Sequence, residues 1–197
     1  MTITSSHIDL LRHGDVQGGP CYRGITDDPL SVKGWQQMHN KVGSQTPWAL
    51  IISSPLSRCH DFAKQLADNT QLPLIMTPAF QEINFGDWEG KTAEQIDSQQ
   101  IAKFYADPVN YPPPHGEHLN DFQQRILVAW QSLLEVHQGK RILLITHAGV
   151  IRVILAHILG MDHQHSFRLK INHACLSSIE CFHEPHAENF LQLIKHE

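Results

Sequence analysis

Apolar and polar positions alternate along this chain in blocks rather than singly. Four short apolar runs each stop at a polar or glycine-bearing segment: Ile8-Asp9-Leu10-Leu11 before Arg12-His13-Gly14, Trp48 to Ser53 before Ser54-Pro55, Leu74-Ile75-Met76 before Pro78, and Ile142-Leu143-Leu144-Ile145 before Thr146-His147-Ala148-Gly149. Runs apolar throughout predict strands covered on both faces, as in parallel sheets. Between them the apolar spacing turns helical. A helix is expected over 32–42, capped by Ser31, with Trp35, Met38 and Val42 on one face. A second should start with Ser54 as cap and Pro55 at the first helical position, burying Leu56, Cys59, Phe62, Ala63, Leu66 and Ala67. A third is expected over 118–137 with Leu119, Phe122, Ile126, Trp130 and Leu133 inward, and a fourth, apolar nearly all round, over 150–159. Stretches 174–182 and 190–194 read as two further strands.

Strand alternating with helix implies right-handed crossovers, and thus a three-layer α/β/α fold around a mainly parallel sheet. The two C-terminal strands would add an antiparallel edge. Residues 80–114 fit neither period well. They are expected to form an inserted, lid-like segment over the strand ends. At 197 residues the whole chain, 1–197, is expected to be one domain.

Composition narrows the function. A net charge of −5 offers no general basic surface for nucleic acid or anionic membrane. No apolar stretch is long enough to span a bilayer. Met1 to Ser6 have neither a basic start nor an apolar core, and Cys21, Cys59, Cys175 and Cys181 are widely spaced, so a reduced, cytoplasmic protein is expected. Fifteen histidines include the pairs His163/His165 and His183/His186. These lack the cysteine or carboxylate partners of a structural zinc site and read as solvent-exposed, so no metal is expected.

In open α/β sheets ligands bind beyond the carboxyl ends of the strands. Three such ends deliver Arg12 and His13, Arg58, and His147. Two arginines offer planar forks to phosphate oxygens. A neutral imidazole is a competent nucleophile toward phosphorus, and positive charge beside His13 disfavours its protonation. A leaving alkoxide also needs a proton. Glu82, ahead of an aromatic, glycine-containing loop, is the candidate acid, with Glu89 and Glu117 as competitors that spacing does not separate.

Taken together, the motifs resemble those of the histidine phosphatase superfamily, the phosphoglycerate-mutase-like fold. The resemblance is carried by Leu11-Arg12-His13-Gly14, Gly24 to Ser31 with Gly34, Ser53-Ser54-Pro55-Leu56-x-Arg58, Glu82-x-x-Phe85-Gly86-x-Trp88-Glu89-Gly90, Gly116-Glu117 and Thr146-His147-Ala148-Gly149-Val150. It implies His13 as the phosphorylated nucleophile, Glu82 as proton donor, Arg12, Arg58 and His147 as the phosphate pocket, and no metal or other cofactor. Its implied partner is a small phosphate monoester. Gly116-Glu117 followed by Phe122-x-x-Arg125, and Arg152 within Gly149 to Met161, most resemble α-ribazole phosphatases, which remove a 5′-phosphate from a precursor of the cobalamin lower loop. The alternatives are a broad-specificity or sugar-phosphate phosphatase or mutase, and a phospho-ligand-binding module without turnover. Asp15, Val16 and Gly19 stand where many members carry a glutamate, a hydroxyl residue and an asparagine. Arg23, just before Gly24, can replace the lost donors, so both are expected at the substrate.

Overall fold

The computed structural model describes residues 4–44, 46–184 and 189–197, and all side chains in them but that of His163. Six strands form one sheet in the order β3-β2-β4-β1-β5-β6. They are β1 Thr4–Arg12, β2 Leu50–Ser53, β3 Leu74–Met76, β4 Arg141–Thr146, β5 Leu176–His183 and β6 Phe190–His196. The first four in that spatial order run parallel, and β5 then pairs antiparallel with β1 and with β6. The expected antiparallel edge is therefore present. Five α-helices accompany the sheet: α1 Val32–Val42, α2 Ser57–Thr70, α3 Ser98–Ala106, α4 Leu119–Val136 and α5 Ala148–Ile158.

Strand residues alternate between two cores, which is how a sheet covered on both faces must divide its side chains. Ile8, Leu10, Leu50, Ile52, Ile142 and Leu144 pack with α4 and α5. Leu11, Ile51, Leu143 and Ile145 pack with α1 and α2. Segment 80–114 owns a third, smaller core of Trp88, Ile96 and Phe104, joined by Tyr22, Phe85 and Phe167. Its aromatic rings meet mostly edge to face, at centroid separations of 5.2 to 6.3 Å.

Two local expectations change. Helix α2 begins at Ser57 with Leu56 as its cap residue, whose side chain makes no cap bond, and Asp27 Oδ1 instead accepts from the Ser57 amide at 2.6 Å. Ser54 is drawn away because its hydroxyl lies 2.7 Å from His147 Nε2, keeping only a 3.4 Å contact with the Leu56 amide. His183 is buried rather than exposed, with Nε2 2.7 Å from the Ser6 hydroxyl. His165 is exposed as expected. His186 and the His163 side chain lie outside the described residues.

One charge sits inside the sheet. Asp9, on the central strand β1, is buried and accepts from the Trp48 indole N–H at 2.7 Å and from the Ser178 hydroxyl. His7 Nε2 lies 3.3 Å away. A buried donor left unpaired costs about 1–3 kcal/mol, and Asp9→Ala strands two of them. Urea unfolding should show a loss of about 3 kcal/mol for Asp9→Ala and a smaller loss for Asp9→Asn, which keeps one acceptor. Equal losses would show that packing rather than hydrogen bonding governs this position.

Candidate active site

Register brings the strand ends level. Arg12 lies opposite Thr146 across β1 and β4, and Ser53 opposite Ile145 across β2 and β4. The ladder continues one step beyond, with the His13 amide donating to Thr146 O and the Ser54 amide to Ile145 O, each at 3.0 Å. His13 and His147 consequently face each other, with ring centroids 5.3 Å apart.

Hydrogen bonds fix both rings' protons. His13 Nδ1 lies 2.8 Å from the Gly14 carbonyl, which can only accept. Nδ1 therefore carries the proton, and the Nε2 lone pair is left for chemistry. His147 Nδ1 accepts from Arg58 Nε at 3.3 Å, so its Nε2–H points to the Ser54 hydroxyl. A phosphate oxygen reaching His147 must compete with Ser54 for that proton. Burial, then the charges of Arg58 and, for His13, of Arg12, push both imidazoles well below the usual histidine value. Both are neutral at physiological pH.

The two guanidinium groups are held by carbonyls. Arg58 is fully buried and donates from Nη1 to Thr26 O at 2.7 Å and from Nη2 to Gly24 O at 2.5 Å. Arg12 donates from Nη1 to Ile171 O at 2.7 Å, while its buried Nε finds no acceptor among the described residues. Burial lowers Arg12 to about 10, so it stays charged at neutral pH. A buried cationic N–H without an acceptor is costly unless an anion completes it.

The three competing carboxylates separate. Glu89 accepts from the amides of Gly24, Ile25, Thr26 and Phe85 and from the Thr26 hydroxyl, joining two loops. Glu117 pairs with Arg125 at 2.6 and 3.0 Å and takes the Asn84 amide at 3.3 Å. Glu82 alone of the three faces the arginines of the pocket, exerting the largest charge effect on Arg12 and on Arg152. It is only 8% exposed and accepts from the amides of Ile83 and Gly149, each at 3.1 Å. Gly149 lies in the first turn of α5, where backbone N–H groups are unpaired and the dipole favours a carboxylate. A Cβ there would stand 2.2 Å from Glu82 Oε1, so only glycine lets the carboxylate in.

Arg23 and Gly24 reach the pocket less directly than expected. Arg23 Nε donates to Asp28 at 2.5 Å, and Nη2 donates to Gln17 O and Gly19 O, each at 3.0 Å. Gly24 gives its amide to Glu89 and its carbonyl to Arg58. It thus positions an arginine instead of offering a free group.

Sequence reading missed His173. Its ring lies 5.8 Å from that of His13, on a loop tied back by Ala174 N donating to His13 O at 3.2 Å and Arg12 N donating to Cys175 O at 3.0 Å. Burial and the charge of Arg12 bring it down to about 4, against the opposing pull of Asp15. Nothing in the sequence marked this histidine among fifteen.

The chain can now be set beside known proteins. The family model described as "Histidine phosphatase superfamily (branch 1)" matches residues 8–191. An adenosylcobalamin/alpha-ribazole phosphatase of Escherichia coli K12 is 28% identical over 178 residues, covering 87% of this chain and 88% of that protein. A probable phosphoglycerate mutase, GpmB, of Yersinia pestis is 28% identical over 185 residues, covering 89% of this chain and 85% of that one. Among solved structures, a putative alpha-ribazole-5′-P phosphatase from Escherichia coli superposes with a TM-score of 0.81 at 26% identity, over 95% of both chains.

These imidazoles carry a pH signature. All three lie below the histidine value of 6.5 in the folded protein, so their contribution to stability is complete above that pH. It is lost as pH falls and the unfolded chain takes up protons that the folded one refuses. Urea midpoints should drop steadily from pH 7 to pH 5, and His173→Asn should flatten the profile. Parallel profiles for the two proteins would remove His173 from this account.

Proposed function

Because this chain belongs to the histidine phosphatase superfamily, we propose that it hydrolyses small phosphate monoesters through a covalent phosphohistidine at His13. The observation that carries this reading is the open Nε2 of a neutral His13, set between two carbonyl-held guanidinium groups with Glu82 nearby. Arg12 and Arg58 bind the phosphoryl oxygens and stabilise the charge spread over them in the transition state. His13 Nε2 attacks phosphorus; the N–P bond forms as the bond to the ester oxygen breaks. Glu82, as general acid, gives a proton to that oxygen, and the alcohol leaves. Water then attacks phosphorus while Glu82 takes its proton, the N–P bond breaks, and inorganic phosphate departs.

Arg12 and Arg58 supply the positive field without a metal in this reading. Rapid quench with labelled substrate in chelator-treated buffer should trap an acid-labile, base-stable phosphoenzyme in the wild type and none in His13→Ala. A phosphoenzyme that persists in His13→Ala, or appears only when a divalent metal is restored, would overturn the mechanism.

For the substrate we propose α-ribazole 5′-phosphate, supported by the names of similar proteins and by the aromatic residues Phe85 and Phe167, which line one pocket with Glu82. Aromatic faces suit a leaving group that carries a heterocycle. A sugar-phosphate phosphatase or mutase is the second reading, favoured by the resemblance to GpmB. Comparison of kcat/KM over a panel of monoesters separates the two. α-Ribazole 5′-phosphate is expected to exceed glycerate and sugar phosphates by at least about tenfold, equivalent to 1.4 kcal/mol of transition-state binding. A flat panel would favour broad specificity.

A further inference from the structure

Arg125 touches none of the groups assigned above to the phosphate or the proton, yet no side chain binds the Glu82 segment as heavily. Projecting from α4, its Nη1 donates to Ala79 O at 2.7 Å and to Gln81 O at 3.0 Å, and its Nη2 to Glu82 O at 3.0 Å. The same guanidinium holds Glu117 in a two-point ion pair. Glu117 in turn accepts from the Asn84 amide at 3.3 Å, while its own amide donates to Asn84 O at 2.8 Å. Phe122, one helical turn earlier, presents its ring face 4.7 Å from the guanidinium carbon. Phe122 also touches the space a Cβ of Gly149 would fill, directly behind the Glu82 carboxylate.

One arginine therefore fixes the backbone at residues 79, 81, 82 and, through Glu117, 84. Segment 79–84 belongs to no helix beyond the short 3-10 turn Pro78–Phe80, so its own backbone pairing cannot fix it. We propose that Arg125 is a positioning residue for Glu82: it sets where the carboxyl stands relative to the leaving-group oxygen, without contacting substrate. This rests on the assignment of Glu82 as the acid. Proton donation demands hydrogen-bond reach, and displacement by about 1 Å can cost on the order of 10²-fold in rate. Lysine cannot substitute, because a point-like ammonium lacks the planar fork that meets three carbonyls and a carboxylate at once.

The distinguishing readout is the leaving group. An alkyl phosphate needs the proton; p-nitrophenyl phosphate departs with little help. For Arg125→Lys and Arg125→Met, kcat/KM on an alkyl phosphate should fall about 10- to 100-fold while kcat/KM on p-nitrophenyl phosphate stays nearly unchanged, because kcat/KM reports phosphoryl transfer to the enzyme and leaves out the dephosphorylation step that both substrates share. In a Glu82→Gln background, either Arg125 substitution should add no further loss. Guanidinium ion should restore part of the alkyl phosphate activity of Arg125→Ala. Should Arg125→Met fail to fold, Arg125→Lys and the guanidinium rescue carry the test. Equal losses on both substrates, or losses that add to that of Glu82→Gln, would overturn the proposal and leave Arg125 a purely structural tie. If Glu82→Gln itself shows no leaving-group dependence, the acid assignment falls, and this inference with it. If Glu82→Gln shows the dependence and the Arg125 variants do not, only the inference falls.

Discussion

Two guanidinium charges must be buried in this pocket without being neutralised, and much of the surrounding structure follows from that constraint. Arg12 and Arg58 are solvated by the carbonyls of Ile171, Thr26 and Gly24, and among the described residues neither forms an ion pair. Carbonyl dipoles lower the cost of burial but leave the net charge in place. Arg23 and Arg125 are treated in the opposite way, with Asp28 and Glu117 as counter-ions. The chemical environment thus divides these four arginines into two that keep their field for an anion and two that spend it on the fold. Burial first, and the same field second, keep His13 and His147 neutral.

Features carried by short stretches of chain were legible in the sequence. Apolar runs ending in histidine or arginine predicted the strand ends, and the register of β1, β2 and β4 placed Arg12, His13 and His147 together. Helix spans came within a few residues because apolar periodicity and glycine stops are local signals. The failures have long-range causes. Ser54 looks like a helix cap in any short window, but a histidine 93 residues away takes its hydroxyl. Glu82, Glu89 and Glu117 are alike in sequence and differ in what the fold brings to them: helix α5, a loop edge, and Arg125. His173 enters the pocket by way of two backbone hydrogen bonds, and no side-chain pattern announces those.

Helix α5 shows how little chain the site requires. His147 follows the strand, stands at the cap position of the helix and faces His13, while two residues later the Gly149 amide donates to Glu82. A turn of three residues therefore meets both His13 and the Glu82 carboxylate. Its tight geometry leaves no space for a side chain at residue 149.

The clasp made by Glu89 has a mechanical meaning. Its carboxylate binds the amides of residues 24–26, whose carbonyls hold Arg58, and also the amide of Phe85, three residues from Glu82. On the proposed mechanism, the loop that holds the phosphoryl cradle and the segment that bears the acid are thereby joined through one carboxylate. Separating the two means breaking either the Phe85 bond to Glu89 or the four bonds that the carboxylate takes from residues 24–26.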